Sequence, residues 1–257
     1  MRERVDRDSP PQAIRRAIVC DPYLSSVYHD MYSRLLDQVA RTPISTTGTV
    51  VEIGGAPGMV HDLDPRVLVT DVIDDPTVDI TCRAEVLPFG DGAIRAIIMK
   101  DVLHHIPDVP AFMAEADRVL APGGCVACIE PYWSPLARFV FRHLHPEPYD
   151  EGAAAWGGST DERWDSNQAL AYILLRRDRA AFEQSFPNFL VEEGPSLTGP
   201  SYVLSGGVFS RTPIPGWVLS RMLRLEQRLG PRLRWTHLHL LFTLSKRDRE
   251  STAAVHG

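Results

Sequence analysis

Three glycines set between two short apolar runs could bring backbone against a ligand. The stretch from Thr49 to Asp71 reads TVVEIGGAPGMVHDLDPRVLVTD, with Gly54, Gly55 and Gly58 between Val50-Val51-Glu52-Ile53 and Val67-Leu68-Val69. Each run is too short for a core helix and has the β-branched content of a buried strand. A glycine turn just past a parallel strand allows close approach, and the helix start beyond it offers N–H groups. Asp71 closes the second run, where nucleotide-binding α/β folds place an acceptor for ribose hydroxyls. Farther on, His104 and His105 follow an apolar run, and Glu130 ends another. Histidine exchanges protons near neutral pH, so His105 and His104 are candidate bases, with packing as the plain alternative. Glu130 would face the same crevice, or pair with an arginine such as Arg138. His143, His145 and Glu147 invite a metal completed by Glu130 or Asp150. The proline after His145 and the lack of a helical i, i+4 ligand pair favour a metal-free lining instead.

Elements that could position these residues follow from the apolar pattern. Gln12 to Ala40 reads as two helices, with Tyr28, Met31, Leu35 and Val39 at three- and four-residue spacing. Arg41 to Gly48 reads as a linker. Val78 to Thr81 should be a third strand and Ala93 to Met99 a fourth, buried on both faces. Pro110 to Leu120 is an amphipathic helix that Gly123-Gly124 would end, and Cys125 to Glu130 a fifth strand. Alternating strand and helix imply a doubly wound parallel sheet with ligand at the strands' carboxyl ends. From Tyr132 the pattern changes to turns rich in Pro, Gly, His, Trp and Asp. Ala169 to Phe186 is expected as one helix, Ser201 to Arg211 as a loop, Trp217 to Leu229 as a helix and Thr236 to Leu244 as a final strand. A stretch that long between strands reads as a substrate cap. Trp133, Trp156, Trp164, Tyr149 and Tyr172 concentrate aromatic surface there, for packing or for a bulky apolar acceptor.

The same motifs resemble the class I S-adenosylmethionine (SAM) methyltransferases, whose loop reads roughly E/D-x-G-x-G-x-G. The resemblance continues through LPFGDGAIRAIIMKDVLHHIPD, FMAEADRVLAPGG and IEP, covers about the first half of the chain, and is to the small-molecule, type 11-like branch. It implies a Rossmann-like, mostly parallel seven-stranded sheet with an inserted cap. The implied division is N-terminal helices at 1–48, a core at 49–131 and 189–257, and the cap at 132–188. It also implies SAM as cofactor, held by Glu52, Gly54, Gly55, Ala56, Gly58, Asp71, Val72, Arg83, Ala84 and Asp101. His145, Tyr132 and Trp133 would meet the substrate. Two positions depart from the family pattern. Ala56 stands where the middle glycine belongs, and Arg83 where an aspartate often accepts from the adenine amino group; arginine has no acceptor.

Net charge is -6 over 257 residues, and only Lys100 and Lys246 are lysines, so no general attraction to nucleic acid is built in. No apolar run approaches membrane-spanning length, the N-terminus lacks a signal peptide's apolar core, and a cytoplasmic location is expected. Cys125 and Cys128 form a CxxC inside an apolar run and read as core thiols. The expected function is SAM-dependent methyl transfer to an oxygen of a small organic molecule. Two alternatives stand beside it: the same fold repurposed for cyclisation or a pericyclic step, with SAM structural or absent, and a non-catalytic relative.

Overall fold

Two helices precede the sheet in this computed structural model, which describes residues 5–6, 8–42, 48–157, 166–210 and 212–248. They are α1 (Pro11–Val19) and α2 (Pro22–Arg41). Each starts with a proline, whose missing N–H is no loss in a first turn. Asp21 caps α2 by accepting from the N–H groups of Tyr23 and Leu24 at 2.9 and 3.1 Å. Strands β1 (Thr49–Ile53), β2 (Leu68–Asp71), β3 (Ile80–Thr81) and β4 (Ile94–Lys100) follow, then α3 (Val109–Val119) and β5 (Leu120–Pro131). The remainder comprises α4 (Pro135–His143), α5 (Leu170–Tyr172), α6 (Arg179–Ser185), β6 (Phe189–Leu197), α7 (Pro200–Ser205), α8 (Gly216–Leu229) and β7 (His239–Lys246).

The seven strands form one sheet in the order β3-β2-β1-β4-β5-β7-β6, parallel except for β7. Alternation along each strand feeds two cores. In β4, Ile97 and Met99 pack with Phe112 and Met113 of α3, while Ala96 and Ile98 pack with Leu24 and Leu35 of α2. All four are fully buried, and each large side chain so buried contributes about 1.5–3 kcal/mol. Strand order reverses between β1 and β4, and the chain leaves both strands there in loops: the glycine loop after Ile53, and Asp101 to His105 after Lys100. A crevice at such a reversal is where open α/β sheets bind ligands.

The expected seven-stranded architecture is present, and several local expectations are corrected. Gly123 and Gly124 do not end α3; they lie inside β5, where the pairing with β4 shifts register between Ile94 and Ala96. The third strand is only Ile80–Thr81. The glycine loop leads into a single 3-10 turn, Met59–Asp62, not a full helix. The single helix expected over 169–186 is divided: α5 continues as a π turn over Ile173–Arg177, and α6 restarts after Asp178. Pro200–Ser205 is helical where a loop was expected, closed by Gly206 at φ 74°. β7 starts at His239, because a 3-10 segment occupies Gly230–Thr236.

Within 132–188, Leu170, Leu174 and Phe182 join the core beside α3, and α4 packs with Leu238. Trp164 and residues 43–47 of the linker lie outside the described residues.

Candidate functional site

The crevice at the strand reversal is a cavity of about 350 Å³. Gly54, Ala56, Asp71, Val72, Arg83, Ala84, Asp101 and His105 line it, together with Tyr28, Tyr32 and Lys100. A larger cavity of about 430 Å³ lies between α2, α8 and β6, and no residue of the glycine loop reaches it. Volumes of a few hundred cubic ångströms suit a nucleoside-sized ligand.

Backbone geometry explains the glycines. Gly54 has φ 65°, and a Cβ there would lie 2.6 Å from Cγ2 of Val102. A Cβ on Gly55 would meet Oε2 of Glu52 and Cγ1 of Val69, both at 2.7 Å. Gly55 and Gly58 shape the loop without lining the cavity. Asp71 accepts from the N–H of Ala56 at 3.1 Å and of Ile73 at 3.2 Å, so its carboxylate pins the loop while facing the cavity.

Asp101, just past β4, has φ 55° and its N–H donates to the Ile129 carbonyl at 2.8 Å. Its Oδ2 pairs with Lys100, whose ammonium also lies 4.5 Å from the centre of the Tyr28 ring. Burial works to raise the Asp101 pKa, but Lys100 and His239 hold it well below the usual carboxylate range. Oδ1 accepts no hydrogen bond among the described residues; it is closed off from solvent and faces Nε2 of His239 at 3.5 Å, while the residue as a whole lines the cavity. Asp101, the Asp71 carboxylate and the glycine cradle together fit a ligand with an ammonium, a diol and a carboxylate. Arg83 is half exposed, lines the cavity and lies 3.4 Å from Glu85, itself a lining residue.

Glu52 lies behind the loop, fully buried, and burial pushes its pKa up from 4.5 to about 8, against a hydrogen bond from Tyr32. A carboxyl that holds its proton more tightly when folded favours the native state at low pH. That advantage is lost as pH rises from 4.5 through 8. Glu52→Gln should therefore flatten this part of the stability profile, gaining on the order of 3 kcal/mol over wild type at pH 7. Urea unfolding of both proteins at pH 5 and pH 8 reads the difference; parallel profiles would contradict it.

At the other end of the cavity the expected proton-handling residues form a buried network. Nδ1 of His104 lies 2.5 Å from Oε2 of Glu130, and Oε1 of Glu130 accepts from the N–H groups of Val102 and Leu103 at 2.9 and 2.7 Å. Glu130 thus pairs with His104, while Arg138 pairs with Glu151. Burial works against a charged His104, but Glu130 beside it raises its pKa overall. Nε2 of His104 meets the amide nitrogen of Gln168 at 2.9 Å, and that nitrogen also donates to Glu147. Of the pair, His105 alone lines the cavity.

The substrate residues expected from sequence sit elsewhere. Tyr132, Trp133 and His145 do not line the cavity: the Tyr132 hydroxyl accepts from Arg234 at 2.6 Å, Trp133 lies under the Arg176 guanidinium, and His145 accepts from the Glu147 N–H at 3.3 Å. His143, His145 and Glu147 do not gather into one cluster. Instead Glu147 approaches His104 and His105, a grouping no short spacing could reveal. Tyr28, Tyr32 and Lys100 were also missed; their helical spacing and strand-end position were the only signals.

A family model described as a methyltransferase domain matches residues 45–128. The ubiquinone/menaquinone biosynthesis C-methyltransferase UbiE of Desulfotalea psychrophila is 29% identical over 104 residues, 36% of this chain and 42% of that protein. An uncharacterized 37.1 kDa protein of Streptomyces fradiae is 33% identical over 93 residues, 36% of this chain and 26% of that protein. The chain thus spans less than half the length of these curated relatives. Among solved structures, a possible histamine N-methyltransferase of Thermotoga maritima superposes with a TM-score of 0.52 at 13% identity, covering 91% of this chain and 98% of the other. The YcgJ protein of Bacillus subtilis gives 0.50 at 17%, covering 84% and 99%. No helix among the described residues is long and apolar enough to cross a membrane. Residues 45–128 thus match the methyltransferase-domain family model, and the chain as a whole shares its fold with these two solved structures.

Proposed function

We propose that this protein transfers a methyl group from SAM to an oxygen of a small organic acceptor. The observation that carries the reading is the pair of carboxylates, Asp71 and Asp101, facing one cavity across the Gly54 turn. Asp71 would accept from the ribose diol, Asp101 would face the amino acid ammonium, and the loop at Gly54 would let the amino acid end approach backbone. SAM brings its own activated methyl group, so the protein's task is alignment and exclusion of water. His105, on the cavity, is the residue that would meet the acceptor's hydroxyl, while Glu130 and His104 hold its turn in place.

Calorimetric titration with S-adenosylhomocysteine (SAH) tests the reading: one site per chain supports it, and a folded protein that takes up none overturns it. Arg83→Asp restores an acceptor near the adenine position and should tighten SAH about fivefold, the worth of one hydrogen bond. Loss of the exposed contact with Glu85 costs little. Unchanged affinity would move the adenine away from Arg83.

A second reading keeps the fold and drops methylation, with the cavity serving a cyclisation. Lys100 favours it, because its ammonium already occupies Asp101, the carboxylate a donor's ammonium would use. Product formation without SAM would select it. The C-methyltransferase named above points to a carbon acceptor instead, and the mass-shifted atom in a labelled product distinguishes carbon from oxygen.

A further inference from the structure

Beside the cavity, three ligand atoms converge that the alignment of a methyl donor does not use. Nε2 of His104 and Nε2 of His105 each lie 3.8 Å from Oε2 of Glu147. The group's ligand atoms all fall within 4.8 Å of one another. A triangle with two sides of 3.8 Å and a third of at most 4.8 Å has a point about 2.2–2.5 Å from every corner, against about 2.0–2.2 Å for zinc bonded to imidazole or carboxylate. A contraction of a few tenths of an ångström closes the difference.

Two further features match a cation. The first is the carboxylate on the far side of His104: Glu130 on Nδ1 leaves Nε2 as the lone-pair nitrogen, the arrangement that orients metal-binding histidines. The second is Gln168, whose amide nitrogen bridges Nε2 of His104 and the Glu147 carboxylate, the two atoms a cation would bridge. Rotating that amide by half a turn puts its oxygen there as a fourth ligand, and amide nitrogen and oxygen exchange places at no steric cost. The Ser166 hydroxyl, which donates to Oε2 of Glu147 at 3.0 Å, would turn away.

We propose that His104, His105 and Glu147, with Gln168 as a fourth donor, bind a divalent first-row transition cation at the edge of the cavity. Two imidazoles with a carboxylate and an amide oxygen suit zinc, cobalt or manganese better than calcium or magnesium. His105 is about a quarter exposed and lines the cavity, so the ion is reached from there, and an oxygen of the acceptor could complete its coordination. Binding of the ion stands apart from the methyl-donor reading; only the acceptor's part rests on it.

The test uses the full chain stripped with EDTA and desalted. Cobalt(II) is titrated against visible absorption, and zinc against a chromophoric chelator. One equivalent should bind, His105→Ala and Glu147→Gln should each weaken binding at least about 100-fold, and Glu130→Gln about 10- to 100-fold. His29→Ala, an exposed histidine elsewhere, should change nothing. Circular dichroism confirms folding, and if the buried Glu147 variant misfolds, the partly exposed His105 decides. No bound equivalent, or equal affinity in wild type and His105→Ala, overturns the site and leaves a purely hydrogen-bonded network. SAH titration of the same samples separates the readings. SAH uptake without metal removes the cation site alone, and metal uptake without SAH removes the methyl-donor reading alone.

Discussion

Asp71→Ala should lower SAH affinity by about 10- to 100-fold, the worth of charge-assisted hydrogen bonds of about 1.5–3 kcal/mol. Two contributions add in the same direction. The diol would lose its acceptor, and the N–H groups of Ala56 and Ile73 would lose theirs, loosening the loop that shapes the cavity. Asp71→Asn separates them: its amide oxygen can still hold one N–H, so the loop is partly retained while the charge is gone. Calorimetry on the three proteins should therefore rank wild type above Asn above Ala. Equal affinities would place the ribose away from the end of β2.

Glu130→Ala should destabilise the fold by about 3–5 kcal/mol, the usual cost of removing one partner from a buried ionic network. The carboxylate is wholly buried and serves three donors at once: the His104 ring and the N–H groups of Val102 and Leu103. Alanine leaves all three facing protein with no acceptor. The same three bonds fix the turn that presents His105 to the cavity, so activity should fall with stability. Urea unfolding at pH 7 measures the change, and a loss under 1 kcal/mol would mean that water replaces the carboxylate there.

Much of this arrangement was legible in the residues. β4 was readable because a strand covered on both faces must be apolar at nearly every position, as IRAIIMK is apart from Arg95 and Lys100. Asp71 was readable from its place at a strand end after a glycine loop. The nearness of His104 and Glu130 followed from β4 and β5 being parallel neighbours whose carboxyl ends lie together. Short or irregular elements were not legible. α7 has six residues, too few for a helical period to declare itself, and Gly123-Gly124 look like a helix stop although they serve a bulge. The π turn at Ile173–Arg177 buries three consecutive apolar residues, Ile173, Leu174 and Leu175, which a plain helical period does not anticipate. Glu147 reaches His104 and His105 from a loop more than forty positions away, and only tertiary packing puts it there. Tyr132, Trp133 and His145 drew the eye as aromatic and titratable residues next to a strand end, yet the chain turns them into packing and away from the cavity.

On this reading the cavity past β1 and β4 takes a nucleoside-bearing methyl donor. A crystal structure of the full chain with SAH tests it most directly. Density is expected with the ribose hydroxyls against Asp71, the amino acid end beside Gly54 and Asp101, and the sulfur turned toward His105. An empty or side-chain-filled cavity at saturating SAH, or SAH bound in the larger hollow between α2 and α8, would contradict it.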